Sequence, residues 1–539
     1  MTRAATKVSA TATLPQGQAQ PAAAPQAPTQ NVPIRHLVAF FFMVFGMFMA
    51  ILDIQIVSSS LAEIQAGISA SADEIPWVQT SYLIAEVVMI PLSGTLTRIF
   101  STRWLFVSAA ASFTVMSLMC ALSSSIGEMM VWRALQGFLG GAMIPTVFAT
   151  LFTIFPPKQR AIFSPVIGLI ATLAPTIGPT VGGYLTDIFS WHWLFLINII
   201  PGICVTIGTW LTIDFDKPNF SLIKTFDWTG MFLLAIFLGS LEYILEEGAA
   251  DDWLNSNLIR NLLIACSVSG SLFFWRMFTK KNPLVDFSAF TNRNFTAGCI
   301  FSFTMGIGLY GLTYLYPVYL ARIQGYSSMM IGETMFVTGI AMFLTAPVAG
   351  RLSLKVDPRI MIGGGFIGFA IGTWQAHYIT SDWAFWELLV PQILRGVSLM
   401  MCMVTVTNIA LGDLPPMVLR GASGLFNLTR NLGGAVGLAL INTTMNQRFD
   451  LHLQRLHESV GWSDSEAVQT LSNMTHAFSN LGSKADSVAL KQLSLLVRKQ
   501  AFTLAIADIF FLLTIVFLSI ILLLPLLKKA KPAGGGGGH

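Results

Sequence analysis

Charged residues are scarce in this chain. Asp, Glu, Lys and Arg make up 11% of its 539 residues and the mean hydropathy is +0.67, whereas soluble globular chains carry about 25% charged residues. The formal net charge is only +4, and the sequence contains no Lys/Arg-rich block. These scarcities exclude a soluble globular fold and a nucleic-acid partner. They predict an all-α polytopic membrane protein.

Cysteine is also rare and scattered. Cys120, Cys204, Cys266, Cys299 and Cys402 lie inside apolar runs without any C-x-x-C spacing, which excludes metal and redox sites of that type. The sequence also has no G-x-x-x-x-G-K-[ST] loop, so it offers no P-loop for ATP. We therefore expect no metal and no cofactor, and any transport must use another source of energy.

Apolar runs of membrane-spanning length recur between residues 37 and 526, and we count fourteen of them. Residues 1–36 predict a disordered N-terminal tail, and residues 527–539 form a Gly-rich C-terminal tail. Most lysines and arginines fall in the tails and in alternate connections, so the positive-inside rule predicts that both tails are cytoplasmic. The one long connection, residues 447–498, then lies on the outer side, where it could form short amphipathic helices.

Two segments of the chain repeat at a nearly constant separation. The stretch Gly94 to Arg103 matches Gly350 to Arg359, and Pro156-Pro157 matches Pro415-Pro416, each Pro pair being followed by an arginine. Such a duplication is typical of secondary transporters. It predicts two pseudo-symmetric six-helix halves, residues 37–214 and 293–526, with two additional membrane helices inserted between them in residues 226–279.

The stretch Ser164 to Asp187 combines membrane-spanning length with clustered Gly and Pro. Gly178 and Gly182 lie four residues apart, which allows a neighbouring backbone to approach, while Pro175 and Pro179 favour a bend. Taken alone, this pattern fits an ordinary Gly-rich helix contact as well as a functional hinge.

Several motifs resemble those of the major facilitator superfamily, and specifically its fourteen-span EmrB/QacA-type drug:proton antiporters. The span 5 run Ala174-x-x-x-Gly178-Pro179-x-x-Gly182-Gly183 resembles their antiporter motif. Further matches are Leu52-Asp53 in span 1, Gly94 to Arg103 after span 2, Arg133-Ala-Leu-Gln-Gly137 in span 4, and Trp191-His-Trp-Leu-Phe195 through Asn198 before span 6. The resemblance covers nearly the whole chain.

This resemblance implies a secondary transporter rather than an enzyme. It implies export of hydrophobic toxic compounds across the bacterial inner membrane by alternating access, with the proton as coupling ion. It also implies a periplasmic adaptor protein of EmrA type and, through it, an outer-membrane channel. The conformational motif would comprise Gly94, Arg98, Arg103, Gly178, Pro179, Gly182, Gly183, Gly350 and Arg359.

Three departures from the family pattern stand out, one of which is an additional acid, Glu86, in the middle of span 2. Arg98 occupies a position where the family usually has an acid, so the expected charge latch between the halves is altered. Gln55 replaces a threonine in span 1.

Ionisable residues inside a membrane are costly and are therefore functional candidates. We predict that Asp53, Glu86, Arg133 and Asp508 couple proton movement to transport, and the resemblance makes Asp53 the best partner for Arg133. Each also has a structural interpretation, as an ion pair, a carbonyl-bound arginine or an interfacial polar group. Two further acids in span 7, Glu242 and Glu246, have a weaker claim, since Glu246 is close enough to the outer surface to be solvated.

The substrate-binding residues cannot be identified from the sequence. The Phe and Met residues of spans 1 and 9 would suit an adaptable drug pocket, but lipid-facing helices have the same composition. Residues 447–498 could dock the adaptor or cap the outer mouth. Two alternative functions stay open: a dedicated exporter of one metabolite, such as a fatty acid, siderophore or antibiotic, and a non-transporting membrane receptor or scaffold.

Overall fold

The computed structural model describes residues 32–58, 60–71, 74–280, 283–461 and 465–528. All regular structure in these ranges is helical, as predicted. The predicted tails lie largely outside the described residues, although α1 already begins at Ile34. The helices are α1 (Ile34–Ser58), α2 (Leu61–Ile68), α3 (Trp77–Ala121), α4 (Ile126–Gly140), α5 (Met143–Ile154), α6 (Pro157–Ile188), α7 (Trp193–Leu196), α8 (Ile199–Thr212), α9 (Trp228–Glu247), α10 (Asn257–Thr279), α11 (Arg293–Arg322), α12 (Ser328–Leu352), α13 (Pro358–Ala376), α14 (Phe385–Gly412), α15 (Pro416–Ser459), α16 (Ser465–Ala477) and α17 (Ala485–Ile521).

Within the described ranges, eleven helical stretches are long and apolar enough to cross a membrane. The longest of them in the first half, α3, is broken at Ser101, whose φ of 76° is not helical, so α3 accounts for two predicted spans. Two further long helices, α13 and α15, are not among the eleven. Polar residues such as Asn427, Arg430 and Asn431 lower the hydropathy of α15. The count of fourteen spans stays a prediction.

Helices α1 to α8 form one bundle and α11 to α17 form another. The two halves meet mainly where α6 packs against α12 and α3 against α15, and also where α5 contacts α15 and α6 contacts α14. The repeated motif glycines lie at these contacts. A Cβ on Gly94 of α3 would lie 2.8 Å from the carbonyl oxygen of Arg420 in α15, and a Cβ on Gly350 of α12 would lie 2.6 Å from that of Ala161 in α6. Only glycine permits such close approach at these two positions.

One face of the bundle carries the start of α1 and the end of the last helix, and we call it the terminal face. There Arg35 binds Asp214 beyond α8, and Arg293 donates to the carbonyl oxygen of Leu526. The opposite face, which we call the hairpin face, carries the residues that join α15 to α17. In the predicted topology, the terminal face is cytoplasmic.

The inserted helices α9 and α10 pack side by side. Gly270 of α10 lies against the ring of Phe237 in α9, and Asp227 at the start of α9 pairs with Arg276 at 2.8 Å and with Lys280 at 3.0 Å. On its other side α9 contacts α3 of the first half and α15 of the second. The inserted pair therefore bridges the two halves along one side of the molecule.

Residues 447–498 are more helical than a connecting loop. Helix α15 continues to Ser459, the short α16 follows, and α17 begins at Ala485, well before the predicted last span at residue 500. We call residues 447–498 the α15–α17 hairpin. The expected short amphipathic helix corresponds to α16, which has no buried residue. A 3-10 turn, Ser479–Lys484, leads into α17, and the described residues up to Ser459 and from Ala485 extend the two flanking membrane helices.

Candidate transport site

Asp53 and Arg133 form an ion pair in the interior of the first half. The Arg133 Nη1 atom lies 2.5 Å from Asp53 Oδ2, and both side chains are completely buried. Asp53 comes from α1 and Arg133 from α4, whose N-terminus is capped by Ser125. The expected pairing of these two residues is confirmed. Burying two charges is costly unless further hydrogen bonds satisfy them.

Three polar side chains complete this network. Asn198 Nδ2 donates to Asp53 Oδ1 at 2.7 Å, Gln136 accepts from Arg133 at 2.7 Å, and both amides donate to the hydroxyl oxygen of Ser117. The Arg133 guanidinium also lies 4.3 Å from the ring centre of Tyr82. Gln136 and Asn198 were visible in the sequence as parts of family motifs. Their role as partners of Asp53 required the fold, because they are distant from it along the chain.

A separate cavity of about 100 Å³ lies between the halves and α9. Its lining includes three carboxylates, namely Glu86 from α3 and Glu242 and Glu246 from α9. Glu242 is almost fully buried, with 6% of its surface exposed, and Glu246, which was expected to be solvated, is half-buried. The other lining residues are Ile54, Gln55, Gln79, Leu83, Val87, Tyr310, Asn431, Gly434, Ala435 and Leu438.

The cavity connects closely to the ion-pair network. Ile54 and Gln55 directly follow Asp53 in α1, and Tyr82, which lies beneath Arg133, precedes Glu86 by one helical turn in α3. A change at Asp53 would therefore be transmitted to the cavity through the same two helices. Phe and Met residues do not line this cavity. Phe303 of α11 instead lines a different, open and apolar cleft.

The second half contains a related arrangement around Arg395, in which no carboxylate takes part. Its guanidinium donates to the hydroxyl oxygen of Thr313 and lies 3.5 Å from Gln392 Oε1. The arginine and glutamine have exchanged places relative to Arg133 and Gln136. The nearby Arg430 is satisfied by Asn427 and lies 5.4 Å from the ring centre of Phe148. Neither arginine has a carboxylate partner among the described residues.

On the terminal face, an acid outside the predicted motif joins the halves. Asp216, located after α8, pairs with Arg420 of α15 at 2.9 Å and accepts hydrogen bonds from the backbone N–H and hydroxyl of Thr102. Arg98, which replaces the family's usual acid, is exposed. The charge that this position lacks is thus supplied by the connection after α8. No pattern in the sequence indicated this contact, since Asp216 belongs to neither copy of the repeat.

The remaining motif residues lie at helix contacts. A Cβ on Gly178 would lie 2.4 Å from the Cβ of Gln55 in α1, so this glycine packs within its own half. Contact across the halves is made two residues further along α6, where a Cβ on Gly332 of α12 would clash with Thr180. Helix α6 continues through Pro179, and Gly182 and Gly183 are buried.

Two arginines of the conformational motif contact an aromatic ring and a backbone carbonyl near the terminal face. Arg103 lies 4.6 Å from the ring centre of Trp210, and Arg359 donates to the carbonyl oxygen of Leu527.

Asp508 lies in α17 on the hairpin side of the second half. Its carboxylate is 2.8 Å from His452 Nε2 and 3.6 Å from Arg448 Nε, both in the extended end of α15. The side chain is 31% exposed. The structure therefore places Asp508 apart from Asp53, Arg133 and Glu86, which lie together.

These features define a membrane transporter. The chain belongs to the Major Facilitator Superfamily, whose sequence profile matches residues 43–438, and members of this family are transporters rather than enzymes. The fold agrees: the proton:xylose symporter XylE, solved with 6-bromo-6-deoxy-D-glucose, aligns with a TM-score of 0.56 at 12% identity over 91% of this chain and 97% of that chain.

Within the superfamily, the chain resembles the EmrB exporters, as expected. It is 44% identical over 481 residues to the colistin resistance protein EmrB of Acinetobacter baumannii, covering 88% of this chain and 93% of that protein. It is 32% identical to the multidrug export protein EmrB of Escherichia coli, covering 77% and 81%. The fatty acid resistance protein FarB of Neisseria gonorrhoeae is 30% identical, covering 88% and 92%.

Proposed function

We propose that this protein exports hydrophobic toxic compounds across the bacterial inner membrane in exchange for protons, by alternating access. The observation that carries the proposal is the buried Asp53–Arg133 pair beside a cavity between the two halves. A buried carboxylate that can gain and lose its arginine partner is suited to take up and release a proton. The names of the EmrB relatives support drug export as the process to which proton entry is coupled.

The coupling follows from charge. When Asp53 takes up a proton, its attraction to Arg133 weakens, and the amides of Gln136 and Asn198 lose an anionic acceptor. Because α1 and α3 carry both this network and the cavity lining, the change alters the cavity. An entering proton contributes roughly 2.3 kcal/mol per 100 mV of membrane potential, so export needs no ATP.

The experiment compares Asp53→Asn with wild type in proteoliposomes. We expect Asp53→Asn to insert and to bind drug but to lose proton release on drug addition and uphill export. Cys120→Ser is the matched control, because its thiol is only 3.8 Å from Gln136 Oε1 and touches neither charge. Full uphill export by Asp53→Asn would remove Asp53 from the coupling site.

A dedicated exporter of one metabolite is the second candidate. The relatives' names include one for fatty acid resistance, so a panel of substrates in proteoliposomes must decide the breadth. The acid-lined cavity disfavours a fatty acid anion, because like charges repel across a low-dielectric site. A non-transporting scaffold has no observation in its favour.

We also propose that the transporter works with a periplasmic adaptor of EmrA type and, through it, with an outer-membrane channel. This requires the terminal face to be cytoplasmic and the α15–α17 hairpin to be periplasmic, as the positive-inside rule predicts. The support from the structure is that α16 has no buried residue and that most of its residues are exposed, where a partner could contact them. Thiol labelling of single cysteines from each face tests the orientation.

A further inference from the structure

The end of α9 and the turn that joins it to α10 contact both halves of the molecule. On the side of the first half, the ring centre of Tyr243 lies 5.2 Å from that of Trp77 at the start of α3. One helical turn further along α9, Glu247 accepts a hydrogen bond from the Thr80 hydroxyl at 2.8 Å. The first half therefore holds α9 at two successive turns, through a ring contact and a hydrogen bond.

The second half is bound by the turn itself. Trp253 Nε1 donates to Thr443 Oγ1 of α15 at 3.0 Å. The Thr443 hydroxyl in turn donates to the carbonyl oxygen of Ala439 at 2.8 Å. Because the hydroxyl hydrogen is used within α15, its oxygen is free to accept from the indole, which can only donate. Thr443 lies one helical turn before the α15–α17 hairpin, so this contact is on the hairpin side of the molecule.

The backbone that presents Trp253 is in an unfavourable conformation. Asp252 and Trp253 have φ angles of 56° and 50°, which are uncommon for residues other than glycine and exceptional for one as bulky as Trp. The Trp253 N–H donates to the carbonyl oxygen of Gly248 at 2.8 Å, and a Cβ on Gly248 would lie 2.8 Å from the indole. Such a conformation persists only while its surroundings hold it. The turn can therefore relax when the indole leaves its place.

Alternating access changes the separation of α3 and α15 on the hairpin side. On the terminal face these helices touch where Gly94 lies against Arg420. Thr80 is about 20 Å from this contact along α3, and Thr443 is about 35 Å from it along α15. Rocking of the halves that opens the terminal contact therefore also moves Thr80 relative to Thr443. A segment that is bound to both must release one of them.

The attachment to the second half is the one that can yield. Helix α9 also packs against α15, but packed helices can slide past each other. A hydrogen bond, in contrast, tolerates only a narrow range of distance and angle. Release of Trp253 from Thr443 also allows the backbone of the turn to relax, whereas the contacts of α9 with α3 involve no such backbone.

We propose that Trp253 is a gating residue of the hairpin face. It holds the turn between α9 and α10 on α15 while the pair of Asp216 and Arg420 closes the terminal face, and it leaves Thr443 when the terminal face opens. Both contacts are made in this structure. The proposal rests on the alternating access proposed above. It gives the inserted helices a gating function, in which they move with the first half.

The first test measures the ratio of open to closed terminal faces by double electron–electron resonance in proteoliposomes without substrate. Spin labels are placed on Ser221→Cys and Lys355→Cys, both exposed on the terminal face, with the exposed Cys204 replaced by Ser. Trp253→Phe keeps an aromatic ring and removes the N–H. We expect it to raise the ratio about fivefold, the typical effect of losing one neutral hydrogen bond. Trp275→Phe is the matched control, because Trp275 is exposed on α10.

A second variant separates the hydrogen bond from other effects of the indole. Thr443→Val removes the acceptor and keeps the shape of the side chain, so it should raise the ratio by the same factor. Adding Trp253→Phe to Thr443→Val should then change nothing further, because both remove one bond. An unchanged ratio in a monodisperse Trp253→Phe, or effects of the two variants that add, would overturn the gating role.

The second test tethers the turn with a short bifunctional methanethiosulfonate, which dithiothreitol releases. In the protein that carries Trp253→Cys and Thr443→Cys, the tether joins the turn to α15, and we expect it to abolish uphill export of a fluorescent drug until it is reduced. In the matched control, Trp77→Cys and Tyr243→Cys, the tether joins α9 to α3 and should leave export unchanged. Full export with the first tether, or arrest by the second, would show that the turn does not move with the first half. Absence of uphill export in wild type would reject the export function, whereas the resonance comparison would still decide the gating role.

Discussion

The contact between Asp216 and Arg420 offers the sharpest test of how the halves close on the terminal face. Asp216 makes four hydrogen bonds or ion-pair contacts, but only the one to Arg420 crosses from one half to the other. Opening of the terminal face must break that contact and can leave the Thr102 contacts intact. Asp216→Asn removes the charge while keeping the shape of the side chain.

The free energy that the Asp216–Arg420 contact contributes depends on how far its two side chains are buried. The Arg420 and Asp216 side chains are 23% and 12% exposed, so their pair lies between an exposed ion pair, which contributes up to about 1 kcal/mol, and a charge-assisted hydrogen bond, which contributes about 1.5–3 kcal/mol. A loss of about 1–2 kcal/mol changes an equilibrium by about 5–30-fold. We expect Asp216→Asn to raise the ratio of open to closed terminal faces by that factor.

Double electron–electron resonance measures this ratio. Spin labels on Ser221→Cys and Lys355→Cys, both exposed on the terminal face, would report the separation of the halves, with Cys204→Ser removing the exposed native cysteine. Arg98→Gln is the control, because Arg98 is exposed at the family's latch position. The same comparison is then made in a protein that carries Arg420→Gln. If Asp216→Asn raises the ratio of open to closed terminal faces by the same factor there, Asp216 acts only through Thr102, and the proposed role of its contact with Arg420 is wrong.

Three further predictions address other contacts. Gly94→Val should abolish transport at normal membrane abundance, because its Cβ would lie 2.8 Å from the Arg420 carbonyl oxygen. Gly421→Ala is the control and should not abolish transport, because its Cβ meets open space. Equal transport by both variants would contradict this prediction. Burial acts to raise the pKa of Asp227, but hydrogen bonds from Arg276 and Lys280 outweigh it and lower the pKa to about 2. Its stabilising contribution is therefore present above pH about 4 and lost as pH falls towards 2, so the melting temperature should fall more over that range in wild type than in Asp227→Asn. Replacing residues 465–484 with a short flexible linker should spare transport in proteoliposomes but reduce resistance in cells and crosslinking to the adaptor; equal loss in both assays would assign the segment to gating.

The sequence predicted those features that depend on composition and on family motifs. Apolar runs located the membrane helices, and the pairing of Asp53 with Arg133 is confirmed. It could not show that Glu242 faces a cavity, because periodicity cannot distinguish a helix side that faces a cavity from one that faces lipid when both are largely apolar. It also assigned the latch to a motif position, whereas the acid that forms the contact, Asp216, lies more than a hundred residues further along the chain.

The helical extensions in the α15–α17 hairpin were not predicted, for a related reason. A helix that leaves the membrane keeps its backbone hydrogen bonds while its side chains become polar, so hydropathy marks the membrane boundary and not the end of the helix. Helix α15 therefore continues to Ser459, and α17 begins at Ala485. Asp508, which was predicted to be a membrane acid, lies in α17 just beyond its extension and is bound by His452 from the extended end of α15.

The differences between the two halves suggest where a proton can act. The first half binds its buried arginine with a carboxylate, Asp53, whereas the second binds Arg395 with the hydroxyl of Thr313. A hydroxyl does not change its charge in the physiological pH range, so protonation alters the interactions of only one of the two arginines. The glycine contacts between the halves, in contrast, are similar on both sides, with Gly94 and Gly350 in corresponding places. Under the proposed mechanism, glycine contacts that are alike in the two halves are therefore moved by a change of charge in the first half alone. Introducing a carboxylate with Thr313→Asp would give the second half its own titratable pair.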